Sequence, residues 1–190
     1  MSSEDLFKEY PFLKSDRITL NKIKESDLND LYEIYSNENL FKFRPGKVKK
    51  NKATVQNMIG HFTRDFNKKK MIFLGIFLNN ENEKLIGIGE IFDFNKKVNS
   101  ITIGYTLNES YWGNGYATET TKTIVDFLFQ HIQINRIQAF VMPENEKSKK
   151  VLHRNSFVKE GIIRQGEYWP DKGVVDLELY SILRSEYVIP

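Results

Sequence analysis

The amino-acid sequence predicts an α/β domain built on a mixed, strongly twisted β-sheet. The first observation is the order of periodicities, because strand-like and helix-like segments follow one another as β-α-α-β-β-β-α-β-α-β-β, about seven strands and about four helices. The second is the length of 190 residues, which suits one domain with a sizeable core. The third is the lack of a repeat, a low-complexity tract or a linker between two cores. We therefore predict one domain over residues 1–190, with residues 1–15 as an N-terminal extension.

The first half of the chain contains a strand, two helices and a hairpin. Residues 17–20 predict a short strand, and Ser26 behind it predicts the cap of a helix. A basic loop then leads into a second helix through residues 55–66. Residues 71–78 and 84–94 flank an Asn-rich turn, so they predict a β-hairpin.

The central stretch predicts a strand, a glycine turn and a helix start. Apolar residues nearly alternate up to Leu107 and adopt helical spacing from Ala117, so the period changes at Gly113 and Gly115. The first turn of a helix has unpaired N–H groups and the positive end of the macrodipole, and glycine lets a ligand approach closely. This predicts a pyrophosphate cradle. The alternative is a tight turn without a ligand, and Thr118 stands where a dinucleotide fingerprint needs its third glycine.

The last third of the chain predicts a strand, a helix and a second hairpin. Residues 136–141 are rich in Ile, Phe and Val and predict a buried strand. Residues 145–157 predict a helix with its cations directed outward. Residues 157–163 and 174–183 predict a long β-hairpin around a Pro-Asp-Lys-Gly turn.

The composition excludes several classes of function. Hydrophobic residues make up 40% and charged residues 28%, both ordinary for a soluble globular protein. The absence of cysteine excludes disulfides, thiolate catalysis and cysteine-based zinc sites. His61, His131 and His153 lack the paired spacing of metal ligands, so we predict no metal site.

The charge distribution predicts neither a nucleic-acid partner nor a membrane partner. The formal net charge is +3, and the lysines are dispersed among acids. No apolar run could span a membrane and the first residues lack a signal pattern, so we predict a cytoplasmic protein. The exception is a cluster formed by Lys47, Lys49, Lys50 and Lys52. It predicts a solvated loop or, alternatively, a surface that steers an acidic partner or phosphates.

Two motifs resemble those of one enzyme family. Residues 111–119 read Tyr-Trp-Gly-Asn-Gly-Tyr-Ala-Thr-Glu, which resembles the acetyl-CoA-binding motif Gln/Arg-x-x-Gly-x-Gly/Ala of the GNAT acetyltransferases. Trp112 stands at the Gln/Arg position, as in the similar variant of the RimJ/RimL branch. A second signature of that branch is matched by Asn145, Ser148 and Phe157. Ser156 replaces its usual glycine, and the resemblance runs from about residue 17 onward.

The resemblance implies a GNAT fold, acetyl-CoA as cosubstrate, no metal, and acetylation of an α-amine at a protein N-terminus, such as that of a ribosomal protein. It also allows a homodimer. Around acetyl-CoA it implies three binding elements: the backbone of a strand that splays or bulges near Leu107, the glycine turn, and the start of the last helix. The residues of these elements are Tyr105, Thr106, Leu107, Trp112, Gly113, Asn114, Gly115, Tyr116, Ala117, Thr118, Asn145 and Ser148. The alternatives are aromatic packing for Trp112 and Tyr116, and helix capping for Asn145 and Ser148.

Acetyl transfer from a thioester to an amine needs a proton acceptor, oxyanion stabilisation and a donor to the leaving thiolate. Without cysteine, direct attack in a ternary complex is the simpler route. Glu167 is the first candidate base, because residues 164–168 resemble the Gln-x-Glu-Tyr stretch of the RimL enzymes, and Glu90 is the second. Either carboxylate could instead simply face water. Ser148 is the candidate acid, since Leu152 stands where many GNAT enzymes have a tyrosine.

Two other functions stay open at this point. Branches related to RimJ and RimL acetylate polyamines, aminoglycosides or amino acids, so a small-amine N-acetyltransferase is the enzymatic alternative. A CoA-binding regulatory module without turnover is the alternative from another class. The departures at Trp112 and Ser156 permit it.

Overall fold

The computed structural model describes residues 5–80 and 83–188. Its strands form one eight-stranded sheet, and their bounds are β1 (Leu13–Lys14), β2 (Ile18–Lys22), β3 (Met71–Leu78), β4 (Leu85–Asn95), β5 (Ser100–Leu107), β6 (Arg136–Val141), β7 (Val158–Trp169) and β8 (Gly173–Leu183). Across the sheet the order is β1-β2-β3-β4-β5-β6-β8-β7, and all neighbours are antiparallel except β5 and β6. The predicted mixed sheet is confirmed, with β1 as an additional strand.

In the described part of the chain, four α-helices flank the sheet, and their bounds are α1 (Leu28–Tyr35), α2 (Lys52–Asn67), α3 (Tyr116–Phe127) and α4 (Glu146–Arg154). A π-helical turn, Leu128–Ile132, continues α3. The short 3-10 turns are Asp5–Phe7, Glu25–Asp27, Glu38–Phe43, Glu109–Tyr111 and Arg184–Glu186. The predicted order of helices and strands is confirmed. None of the helices in the described ranges is long and apolar enough to cross a membrane.

Helix α1 begins later than the sequence predicts. Ser26 lies in the preceding 3-10 turn, where its hydroxyl donates to Asp27 at 3.2 Å. The N-cap of α1 is Asp27, whose second carboxylate oxygen accepts from the Lys24 N–H at 2.7 Å. The prediction that Ser26 caps the helix is therefore wrong, because these local side-chain bonds favour a tighter turn before the helix starts.

The N-terminal extension packs onto the sheet from residue 5 onward. Leu6 is buried in the main core, and the Tyr10 hydroxyl donates to the Phe73 carbonyl at 2.5 Å. Burial raises the pKa of Tyr10 to about 12, so this hydroxyl is a donor at neutral pH. Residues 1–4 of the predicted extension lie outside the described residues.

The two faces of the sheet are covered by different helices. On the face of α1 and α2, which we call the α1 face, the helices bury Leu31, Ile34, Val55 and Ile59. On the face of α3 and α4, the α3 face, Ile124 and Leu152 join the main core. Because side chains alternate along a strand, Ile103, Tyr105 and Leu107 of β5 point to the α3 face, and Gly104 and Thr106 belong to the α1 face.

Strands β5 and β6 separate part-way along their length. They pair in parallel only between residues 100–102 and 136–138, whereas β6 keeps its pairing with β8 up to Val141. We call the space between residues 103–107 of β5 and the end of β6 the strand gap. The predicted splay of β5 is therefore present. A bulge near Leu107 is absent, because β5 stays in register with β4 there and the irregularity lies between Phe92 and Asn95.

The hairpin of β7 and β8 bends over toward the α1 face. A bulge between Ile163 and Glu167 holds Gln165 at a φ of +49°, and the Gln165 N–H donates to Asp176 at 2.7 Å. At the tip, Lys172 donates to the Phe41 carbonyl at 2.8 Å, and Asp171 accepts from the Gly46 N–H at 3.3 Å. The tip is thereby attached to the loop that follows α1.

Candidate active site

The turn between β5 and α3 has the geometry of an anion-binding site. Gly113 and Gly115 have φ angles of +82° and +83°, and Gly115 is the N-cap of α3. The first bond of the helix runs from the Glu119 N–H to the Gly115 carbonyl at 3.1 Å. Within the described residues, no backbone N–H of residues 113–118 donates a hydrogen bond. These N–H groups and the helix dipole together attract phosphate.

Arg17 borders this turn, and the sequence did not reveal its position. Its Nη1 donates to the Asn114 carbonyl at 3.0 Å, and its guanidinium lies 4.7 Å from the centroid of the Tyr116 ring. A Cβ on Gly115 would lie 3.3 Å from Arg17 Nη2. No local signal predicts these contacts, because Arg17 and Asn114 are 97 positions apart in the chain.

Glu119 fixes Arg17 beside the turn. Its carboxylate accepts from the Arg17 N–H at 2.9 Å, from Arg17 Nε at 2.7 Å and from the Ser15 hydroxyl at 2.8 Å. Burial by itself raises the pKa of Glu119, but these hydrogen bonds and the Arg17 charge outweigh it and hold the pKa below its usual range. Glu119 therefore anchors the segment before β2 to the glycine turn as an ionised carboxylate.

Trp112 closes the end of β5. Its indole Nε1 donates to the Leu107 carbonyl at 2.9 Å, and the Lys147 ammonium lies 5.3 Å from the centroid of its ring. The Asn114 side chain donates to the Trp112 carbonyl at 3.2 Å. The residue at the Gln/Arg position of the motif thus contacts the strand and α4 by its side chain and the glycine turn by its carbonyl.

The backbone of β5 presents groups to the strand gap at alternate residues. The Asn108 N–H donates to the Ile86 carbonyl at 2.8 Å, which sets the alternation of the antiparallel ladder with β4. By this alternation, the N–H and C=O groups of Tyr105 and Leu107 point toward the gap, and those of Thr106 point toward β4. The Leu107 carbonyl already accepts from the Trp112 indole, so the groups that an amide-bearing ligand can bind there are the N–H and C=O of Tyr105 and the N–H of Leu107, whereas the Thr106 backbone is directed elsewhere.

Two hydroxyl groups meet on the α3 face of the gap. The Tyr105 hydroxyl lies 3.0 Å from Ser148 Oγ. Burial raises the pKa of Tyr105 despite the opposing effect of this hydrogen bond, so the phenol is protonated at neutral pH. Asn145 accepts from the Ser148 N–H at 3.2 Å as the N-cap of α4. The capping alternative therefore holds for Asn145, and Leu152 is buried in the core.

A charged cluster lies on the opposite, α1 face of β5. Arg44 donates from Nη1 to the Thr106 hydroxyl at 2.7 Å and from Nη2 to Glu90 at 3.5 Å. Its guanidinium lies 5.4 Å from the centroid of the Tyr35 ring. Burial alone would lower the pKa of Arg44, but the neighbouring Tyr35 and Glu90 raise it. Burial raises the pKa of Tyr35, so its hydroxyl keeps its proton beside the Arg44 guanidinium at neutral pH.

The two candidate bases occupy different surroundings. The Glu90 side chain is only 15% exposed and lies opposite Gly104 on the α1 face. The Glu167 side chain is exposed and forms no hydrogen bond or ion pair among the described residues. Glu167 pairs with Val175, so both side chains are on one face of the hairpin, and Val175 packs with Trp169 and Met142. Since Met142 directly follows β6, Glu167 is on the side of the hairpin that faces the mouth of the strand gap.

Glu109 connects the two faces of β5, and the sequence did not single it out. Its carboxylate accepts from the Asn37 amide at 2.6 Å and from the Asn39 amide at 2.9 and 3.0 Å. These hydrogen bonds, of which the one from Asn37 contributes most, hold the pKa of Glu109 below its usual range. Asn37 also caps the 3-10 turn that leads to Arg44. Glu109, in the 3-10 turn that follows β5, thus fastens the loop of the α1 face to the segment that enters the glycine turn.

A family model described as an acetyltransferase (GNAT) domain matches residues 17–158. The chain belongs to the GNAT acetyltransferase family. The match spans the segment from Arg17 through the glycine turn, the strand gap and α4, and the enzyme is therefore an N-acetyltransferase. Within residues 5–80 and 83–188, no group of His, Cys, Asp and Glu side chains is arranged to hold a metal ion.

Relatives of this GNAT enzyme include proteins with different named acceptors. The N-acetyltransferase p20 of Bacillus licheniformis, named as uncharacterized, is 29% identical over 176 residues, or 92% of this chain and 97% of that protein. The ribosomal-protein-serine acetyltransferase of Escherichia coli is 27% identical and covers 68% of each chain. The spermidine N(1)-acetyltransferase of Vibrio cholerae is 19% identical over 90% of this chain and 96% of that one.

Solved structures of other acetyltransferases share the fold of this enzyme. An acetyltransferase of the GNAT family from Bacillus anthracis superposes with a TM-score of 0.81 and 22% identity, covering 93% of this chain and all of that one. The microcin C7 self-immunity acetyltransferase MccE, in complex with acetyl-CoA and AMP, superposes with a TM-score of 0.80 and 22% identity, covering 89% and 93% of the two chains.

Proposed function

We propose that this GNAT enzyme transfers the acetyl group of acetyl-CoA to the N-terminal α-amine of a polypeptide, by direct attack in a ternary complex in the cytoplasm. The observation that carries the proposal is the strand gap, with the hydroxyl pair on its α3 face and the charged cluster on the α1 face. Thioester and amine can therefore approach each other from opposite faces of β5, which is the positioning that direct attack requires.

The donor side fits acetyl-CoA as a cosubstrate. The pyrophosphate would lie against the N–H groups of residues 113–118, where Gly115 leaves room for a close approach. The amide-bearing arm would bind the N–H and C=O of Tyr105 and the N–H of Leu107, as a peptide binds an exposed strand edge. The same N–H groups can stabilise the oxyanion. The cradle itself is shaped by the neighbouring side chains of Trp112, Asn114, Tyr116, Ala117 and Thr118.

Ser148 and Tyr105 would assist the leaving group. The amine attacks the thioester carbonyl, a C–N bond forms, and the C–S bond breaks as the tetrahedral intermediate collapses. The Ser148 hydroxyl would donate a hydrogen bond to the departing thiolate and the Tyr105 phenol one to Ser148 Oγ; both side chains keep their protons, and the released thiolate takes its proton from solvent. Tyr105 thus supplies from β5 the phenol that α4 lacks at Leu152, and Asn145 holds Ser148 by its cap.

Glu167 would accept the proton that the attacking amine loses. It is exposed, so it can pass this proton to solvent, and it is on the hairpin face that adjoins the mouth of the strand gap. Glu90 is the second candidate. Because Glu90 already binds Arg44, we assign it to holding that guanidinium beside Thr106.

The test is acetyl-CoA-dependent transfer followed by mass spectrometry. Peptides with different first residues are offered beside spermidine, an aminoglycoside and free amino acids. A peptide that gains one acetyl group at its α-amine supports the proposal. Acetylation of small amines alone favours the second candidate, a small-amine acetyltransferase, which the spermidine N(1)-acetyltransferase relative supports. Binding of acetyl-CoA without any transfer favours a regulatory module.

We also propose a homodimer. The edge strand β7 exposes apolar side chains, among them Val158, Ile162 and Tyr168, and apolar edges of this kind are usually covered. Sedimentation at micromolar concentration tests the oligomeric state. A monomer at all concentrations would contradict the homodimer and leave the catalytic proposal unchanged.

A further inference from the structure

A strongly basic segment borders the α1 face of the active site. Residues 39–64 contain seven Lys or Arg residues and no Asp or Glu. The formal charge of the whole chain is only +3, so the rest of the chain is net acidic. We call residues 39–64 the basic segment, and its cations are Lys42, Arg44, Lys47, Lys49, Lys50, Lys52 and Arg64.

The first part of the basic segment, residues 41–49, runs between α1 and the tip of the β7–β8 hairpin, and the rest continues into α2. Its Arg44 reaches inward to Thr106 of β5. The Lys49 N–H donates to the Tyr35 carbonyl at the end of α1, at 2.8 Å. On the other side, the hairpin tip contacts the segment through the Lys172 ammonium, which donates to the Phe41 carbonyl. This first part therefore borders the α1 face of the strand gap, the side from which we expect the acceptor to approach.

Most of these cations are not neutralised within the protein. Lys42, Lys47 and Lys50 are exposed, and neither they nor Lys49 form an ion pair in the part of the chain that the structure describes. Arg44 differs from these lysines, because the Glu90 carboxylate lies 3.5 Å from its Nη2. Uncompensated charge of one sign beside a cleft concentrates ligands of the opposite charge and repels those of the same charge.

We propose that the acceptor is a polypeptide with acidic residues shortly after its N-terminus, which the basic segment draws to the strand gap. The inference rests on the proposed transfer to an α-amine and names the class of polypeptide. It also separates the two acceptor classes, because the same lysines repel a polyamine. The net charge of +3 for the whole chain does not reveal this patch, because the acidic residues that balance its positive charge are in other segments.

The first measurement compares kcat/KM for three peptides that share their first residue and length. Residues three to eight carry Asp and Glu in one peptide, Asn and Gln in the second, and Lys in the third, with spermidine as a fourth acceptor. We expect the acidic peptide to exceed the amide peptide by roughly tenfold at low salt and the lysine peptide and spermidine to rank below both. The advantage should shrink at about 0.5 M salt, because screening shortens the range of the attraction.

The second measurement uses a charge reversal with a matched control. The triple variant K47E/K49E/K50E should lose the preference for the acidic peptide and gain rate with the lysine peptide. The triple variant K68E/K69E/K70E changes the net charge equally, at exposed lysines after α2, and should keep the preference. Circular dichroism establishes that both variants are folded. If the first triple variant does not fold, the salt dependence of the unmodified enzyme still decides.

The outcomes distinguish the inference from the function on which it rests. Equal rates for the acidic and amide peptides, unaffected by salt, overturn the inference and leave α-amine acetylation in place. A loss of preference in both triple variants assigns the effect to net charge and also overturns it. Acetylation of spermidine without any peptide overturns both. Tight binding of a single-stranded RNA that K47E/K49E/K50E abolishes, with no preference among peptides, assigns the patch to nucleic acid instead.

Discussion

The two faces of β5 serve one strand gap but are built from very different parts of the chain. The α3 face comes from two short stretches, residues 105–119 and 145–148, and much of what it offers is backbone. The α1 face gathers side chains from Arg44, Glu90 and Thr106, with the hairpin tip attached from residues 171–172. A ligand common to a whole family can be bound by a local turn. The acceptor meets a surface that only the tertiary fold assembles.

The largest expected effect concerns Glu167, the base that we propose on the hairpin. Glu167→Gln removes the proton acceptor, and we expect kcat to fall about 100-fold at neutral pH while the Kd for acetyl-CoA stays unchanged. Stopped-flow or steady-state kinetics measure the first quantity, and calorimetry measures the second. Glu90→Gln is the matched comparison on the other strand. If Glu167→Gln keeps its full rate and Glu90→Gln does not, the base is Glu90.

The contrast between the faces also explains what the sequence could predict. The order of strands and helices followed from periodicity, and the turn before α3 followed from Gly113 and Gly115, because both signals are local. Arg17 and Glu109 escaped detection, since each acts through partners about 70 to 100 positions away. The 3-10 turn before α1 also escaped, because Ser26 and Asp27 are both good caps and the sequence does not choose between them.

The second prediction tests the glycine turn of the α3 face. Gly115→Val places a branched side chain at a φ of +83°, where a non-glycine residue costs about 1 to 3 kcal/mol, and its Cβ meets Arg17 at 3.3 Å. We expect the Kd for acetyl-CoA to rise about tenfold or more. Gly161→Val is the control, because that glycine has open space around its Cβ and no positive φ. Unchanged affinity in a folded Gly115→Val variant would contradict the cradle.

The third prediction breaks the connection between the faces. Glu109→Gln weakens the bonds from Asn37 and Asn39, because charge-assisted hydrogen bonds are about twice as strong as neutral ones. We expect the KM for the acceptor to rise several-fold, about fivefold, with the Kd for acetyl-CoA within about twofold of its original value. Glu38→Gln, at an exposed position of the same loop, should change neither.

A reversed pair sharpens the test of Glu109. The double variant Glu109→Gln/Asn39→Asp exchanges amide and carboxylate, so the bond between positions 109 and 39 can form in the opposite direction. Recovery of the acceptor KM would show that the contact positions the loop. A rise of the acetyl-CoA Kd equal to that of the acceptor KM would instead indicate general unfolding of the segment and contradict the role in positioning.

The smallest expected effect concerns Ser156, where the chain departs from the glycine of the RimJ/RimL pattern. Ser156 has a φ of +63° just after α4, its side chain is exposed, and its N–H donates to the His153 carbonyl at 3.0 Å. Ser156→Gly should remove left-handed strain at a position that favours glycine, and we expect about 0.5 to 1 kcal/mol of added stability, a Tm about 1 to 4 °C higher. Ser156→Ala is the control, because it keeps a Cβ at the same φ and should not gain stability.

A higher Tm with unchanged kcat and KM would mean that the departure at Ser156 affects only stability, and this departure would no longer favour a module without turnover. A lower Tm would contradict the strain argument.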